Sequence, residues 1–204
     1  GKTTELGRLA NELERLGFAV LRVSARRYHP LTRAISIEEL ALLLAAGIGE
    51  AATELLGDKQ LDEAAKEGVW KRVIGSLERA FKATQLALKF GPLELRSALW
   101  QGESASANIR KLIGGRVDLI KAFLHEFVQE VAQGIHPRQL VVLVDDLEKY
   151  DAPSDRVGGI YHEMADLFLN STDVLQLPQC HVVYTVPPYV SFIHAGIGEK
   201  YEQR

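Results

Sequence analysis

The stretch Leu140-Val141-Val142-Leu143-Val144-Asp145-Asp146 decides how this chain is read. Five consecutive apolar residues, rich in valine, have the length of one strand and leave no polar face. A strand of that kind is covered on both sides, as a central strand of a parallel sheet is. Pro137 supplies a turn before it, and Asp145-Asp146 stand at its carboxyl end.

Working outward, further strand-length runs appear on both sides with helices between them. Downstream, a helix over about 157–169 leads through Pro178 to the strand His181–Val186, which Pro187-Pro188 stops. Upstream, Phe18–Val23 reads as a strand, and Arg22 within it indicates a sheet edge. Before it, Leu6, Leu9, Ala10, Leu13 and Leu16 share one face of an amphipathic helix that Gly17 ends. After Pro30, Ser36 and Glu39 form a capping box. Leu40, Leu43, Leu44, Ile48 and Ala51 carry that helix's apolar face on to Gly57. A second helix is expected over about 62–90, with Val69, Val73, Leu77, Phe81 and Leu88 in register and Gly91-Pro92 as its end. A third is expected over about 106–133 through Ile109, Leu112, Ile120, Phe123, Phe127 and Val131, with a break or kink at Gly114-Gly115. Residues 93–102 read as neither helix nor strand. The alternation indicates an α/β sheet covered on both faces. The helices of residues 36–136 exceed a simple crossover, so they are expected to form a helical insertion or subdomain in a core built from residues 1–35 and 137–204.

The sequence opens Gly1-Lys2-Thr3-Thr4, directly ahead of the first helix. Gly1-Lys2-Thr3 matches the last three positions of the phosphate-loop pattern G-x-x-x-x-G-K-[ST]. A helix amino terminus presents unpaired N–H groups and a positive dipole end to phosphate. Lys2 would reach the β- and γ-phosphates, and the Thr3 hydroxyl would coordinate Mg²⁺. The apolar strand that ends in a carboxylate is the complementary Walker B pattern, which aims its carboxylate at the metal. Asp145 would bind Mg²⁺ through water, and Asp146 and Glu148 are the two candidates for polarising the attacking water. Thr185, at the end of the next strand, is placed as a polar sensor residue beside the γ-phosphate, or as a strand residue bonded to backbone. Arg156 reads either as a surface arginine or as a contact to nucleotide in a neighbouring subunit. The candidate nucleotide-binding set is therefore Gly1, Lys2, Thr3, Thr4 and Thr185, and the candidate metal set is Thr3 and Asp145.

Four segments together, GKTTELGRLANELERLGFAVLRV, ISIEELALLLAAGI, LVVLVDDLEKYD and HVVYTVPPYV, resemble bacterial P-loop ATPases near the AAA+ and STAND classes. Those are large multidomain regulators or defence proteins that switch with nucleotide state. The resemblance implies the P-loop NTPase three-layer sandwich, with a mainly parallel sheet. In it the phosphate-loop strand lies beside the sensor strand, then comes the Walker B strand, with Phe18–Val23 at the edge. It implies ATP and Mg²⁺ as cofactors, ADP as product, and the residue roles given above. The first strand and the earlier glycines of the loop are expected ahead of Gly1, so this stretch is expected to be truncated at its first strand and inactive alone. The sheet edge left open is expected to drive self-association or pairing with other domains of the parent protein. A cytoplasmic location follows from the ATPase reading. Two other readings compete with it. One is a non-hydrolysing protein-interaction module with a vestigial nucleotide site. The other is a small-molecule phosphotransferase, which would need an arginine-rich lid that the sequence does not display.

Composition bounds the rest. The 204 residues are 47% hydrophobic and 25% charged with a net charge of -3, so no global field recruits nucleic acid or an acidic membrane. The apolar run Leu40–Ile48 falls well short of the roughly 20 residues that cross a bilayer. Cys180 is the one cysteine, which rules out an internal disulfide framework. His29, His125, His136, His162, His181 and His194 have no metal-type spacing with it or with one another. His162-Glu163 lacks the second histidine of H-E-x-x-H, and no G-x-S-x-G elbow occurs.

Overall fold

Leu140–Asp145 is the middle strand of the sheet. The computed structural model describes residues 2–57, 63–82, 107, 111, 113, 115–150, 154–188 and 190–201. Within them β2 (Leu140–Asp145) pairs in parallel with β1 (Ala19–Ser24) on one side and with β3 (Cys180–Tyr184) on the other. The helices are α1 (Lys2–Arg15), α2 (Ile37–Gly57), α3 (Glu63–Lys82), α4 (Val117–Ile135) and α5 (Ser154–Asn170), with the single turns α6 (Thr172–Leu175) and α7 (Val190–Ile193). The fold is mixed α/β with a three-stranded parallel sheet, and Arg22 lies, exposed, on an edge strand as its charge requires.

Pleating sends alternate side chains to opposite faces. Ala19, Leu21, Val23, Leu140, Val142 and Val144 enter the main core with α2, α4 and α5. Val20, Val141 and Leu143 form a smaller cluster with Ala10 and Leu13 of α1 and with Phe18. Here two expectations need correction. The five-residue apolar face of α1 is only partly used, because α1 covers a strip over β1 and β2: Leu9 is 39% and Leu16 67% exposed. Likewise β3 is covered on one face only. His181 and Val183, in register with Val141 and Leu143, are exposed.

Element ends differ by small steps. β1 starts and stops one residue later than the apolar run, so that Ser24 becomes its last residue. β3 ends at Tyr184, two residues short of Val186, although the Thr185 N–H still donates to the Val144 carbonyl at 2.9 Å. The third helix splits as expected: Gly115 adopts a φ of +72°, and α4 begins just after it at Val117. The expected register at Leu88, Gly91-Pro92, Ile109, Leu112 and Gly114, the Phe81 side chain and the stretch 93–102 lie outside the described residues.

The capping box forms as read. The Glu39 N–H donates to Ser36 Oγ at 3.4 Å, and the Ser36 N–H to Glu39 Oε2 at 3.0 Å. Glu39 is fully buried and also takes both guanidinium nitrogens of Arg33, at 2.6 and 2.9 Å. Beyond the cap, every residue of Leu40–Ile48 is buried. By length and composition α2 is a helix that could cross a bilayer, and 67% of its apolar window is buried inside this chain. It lies directly on β1, and one buried cluster runs through α2, α3, α4 and the sheet. Two glycines permit that approach: a Cβ on Gly47 would stand 2.4 Å from Val23 Cγ1, and one on Gly49 2.7 Å from Val69 Cγ1.

Candidate functional site

The carboxyl ends of β1 and β2 and the first turns of α1 meet in one cleft. Its volume is about 320 Å³, and Leu6, Gly7, Arg22, Ser24, Glu54 and Asp145 are among the residues that line it. In open α/β sheets this end of the strands is where ligands bind. The sheet brings Asp145 there because β2 carries it one residue past the last buried valine, and α1 packs on the face beside it through Ala10 and Leu13.

The two carboxylates at the strand end have different surroundings. Asp145 Oδ1 accepts from the Asp146 backbone N–H at 2.8 Å and from the Thr185 hydroxyl at 3.4 Å. Thr185, expected as a sensor residue on the neighbouring strand, is thus drawn to the metal-candidate carboxylate across the sheet. Asp146 sits at φ +73°, in the left-handed region that aspartate tolerates better than most residues. Its Oδ2 accepts from the Ser24 hydroxyl at 2.5 Å, and its Oδ1 is held by the Lys149 ammonium. Burial pushes the Asp146 carboxyl up. The hydrogen bonds from Lys149 and Ser24, with the charges of Lys149 and Arg26, more than offset that and hold it below the ordinary aspartate range. The same hydrogen bond raises the Lys149 ammonium.

Glu148, the other candidate for polarising water, lies in the turn after β2, and its Oε2 is shut off from solvent with no hydrogen-bond partner among the described residues. An orphaned buried acceptor is uncommon and marks a place where a ligand can supply a donor. Lys2 and Thr3 occupy the first two positions of α1, so their backbone lies at its amino terminus. Thr4 is exposed in the same turn. Gly1 and the side chains of Lys2, Thr3 and Arg156 lie outside the described part.

Among the described residues no three His, Cys, Asp or Glu side chains converge on a metal position. Mg²⁺ nevertheless seldom uses an all-protein cage, and is commonly bound through one or two carboxylates with water. The carboxylate of Asp145, with the Thr185 hydroxyl beside it, is a hard oxygen donor set of the kind that ion takes. The reading of the sequence missed Ser24 and Lys149. Lys149 is signalled only by its spacing of three from Asp146, and Ser24 is 122 residues away from it.

No protein-family model, curated protein or solved structure matches this chain.

Proposed function

We infer that this chain is the nucleotide-binding core of a P-loop ATPase of the AAA+/STAND type, acting as a nucleotide-dependent switch in a larger protein. The observation that carries this reading is the shared cleft. The carboxylate that ends the buried middle strand lines it together with the first turns of the helix that Lys2-Thr3 begins. The strand order supports it as well, since the sensor, Walker B and edge strands lie side by side in that sequence.

Lys2 and the amino-terminal N–H groups of α1 hold the phosphates of ATP, Thr3 and Asp145 hold Mg²⁺, and Thr185 orients Asp145. Bound Mg²⁺ supplies charge neutralisation for the transferring phosphoryl group. Asp146 and Glu148 are the carboxylates available to polarise the attacking water. In the natural full-length protein, Lys2→Ala and Asp145→Asn are expected to lower Mg²⁺-dependent ATP turnover at least about 100-fold. The measurement is steady-state phosphate release beside equilibrium ATP binding. A wild-type protein that neither binds nor hydrolyses ATP sinks the reading. Asp146→Asn and Glu148→Gln then separate the two candidates, because the one that serves as base loses turnover while keeping nucleotide binding.

A second reading, a protein-interaction surface, is favoured by the side of β3 that pairs with no strand among the described residues. An apolar cleft of about 320 Å³ lies there, lined by Phe168, Val182, Val183, Tyr184, Val186 and Tyr201 among others. A strand edge without charged side chains pairs readily with another chain. This stretch alone is therefore expected to sediment as dimers or larger species, and Val183→Lys to shift it to monomer. A wild-type monomer at tens of micromolar would count against the surface.

A further inference from the structure

We propose that Lys149 is a tethered counter-ion that holds Asp146 out of the nucleotide site until metal and nucleotide arrive. The proposal rests on the ATPase reading and assigns the resting state of its site. Both oxygens of Asp146 are engaged: Oδ2 by the Ser24 hydroxyl from the end of β1, and Oδ1 by the Lys149 ammonium three residues on. Each oxygen thus has one acceptor position committed, and the Lys149 ammonium offsets the negative charge that would otherwise draw a cation's hydration shell. The turn is built for this pairing. The Lys149 N–H donates to the Asp146 carbonyl at 3.1 Å, closing the turn, and the left-handed φ of Asp146 turns the backbone so that carboxylate and ammonium meet.

The two partners differ in kind. Ser24 ends a strand hydrogen-bonded along its length to β2, in register with Asp145, so its hydroxyl is a fixed point. Lys149 has a side chain 38% exposed on a flexible stem, while the Asp146 side chain is only 13% exposed. A lysine contact to carboxylate whose ammonium reaches solvent is weak and readily exchanged. A divalent cation at Asp145, one residue away, competes for the same negative charge and displaces the ammonium. Asp146 is then held by Ser24 alone, with Oδ1 released. Lys149 is thus a positioning residue, acting through Asp146.

The test is the Mg²⁺ concentration that half-saturates binding of a fluorescent ADP analogue to the natural full-length protein. Lys149→Met is expected to lower that concentration by roughly 3- to 5-fold, the size of one partly exposed ion pair. Lys149→Arg, which keeps the charge, is expected to behave as wild type. In an Asp146→Asn background the same Lys149→Met change is expected to shift it by less than about 2-fold, because no carboxylate remains to release. Binding without any shift in Lys149→Met overturns the proposal. So does a full shift that persists in the Asp146→Asn background, since Lys149 then acts on the site at large. Absence of nucleotide binding in the wild type, at any Mg²⁺ concentration, overturns the ATPase reading itself.

Discussion

Arg33→Met is expected to remove about 3–5 kcal/mol of folding stability, the cost of leaving one member of a buried ion pair without its partner. Glu39 is fully buried at the start of α2, and the Arg33 guanidinium meets it with two nitrogens. Methionine retains much of the apolar stem but none of the donors. The variant Arg33→Met, Glu39→Gln is expected to recover most of the loss, because glutamine carries no charge and still accepts the Ser36 N–H of the capping box. Urea unfolding of the wild type, both single variants and the double variant measures the coupling. Strictly additive single effects would mean that the pair contributes nothing beyond its separate contacts.

The second large effect is steric. Gly47→Leu is expected to cost about 3 kcal/mol or more, at the upper end of what overpacking a core does. Even the first carbon of a new side chain would stand 2.4, 3.1 and 3.3 Å from three atoms of Val23. Valine in a paired strand cannot swing aside as a long flexible side chain would. Gly47→Ala is the milder case, since the better helix propensity of alanine returns about 1 kcal/mol. Combining it with Val23→Ala, which removes all the clashing methyl carbons, is expected to cost less than the sum of the two single changes. If the two costs simply add in urea unfolding, the close approach of α2 to β1 is not what Gly47 provides.

Gly47 bears on the cleft at the strand ends through β1. Val23 and Ser24 are neighbours on one strand, facing opposite sides of the sheet, and Ser24 holds Asp146. A shift of α2 against Val23 therefore reaches the cleft through a single strand.

What the sequence determined by itself was local. An unbroken apolar run means burial on both faces, so Leu140–Val144 could be placed at the centre of a parallel sheet. A charge within a strand means an edge, and a serine three residues before a glutamate means a helix start. Those features hold at Arg22 and at Ser36 with Glu39 because their causes lie within a few residues of chain. The tertiary structure decided which surfaces meet. Periodicity marks Leu9 and Leu16 as apolar-face residues but cannot say that α1 spans only two strands. It marks Asp146 as a carboxylate at a strand end but not as the acceptor of a hydroxyl 122 residues earlier. That contact exists because strand register sets Ser24 opposite Asp145, and register is set by the packing of whole faces, a sum over many distant residues that no short window of sequence contains.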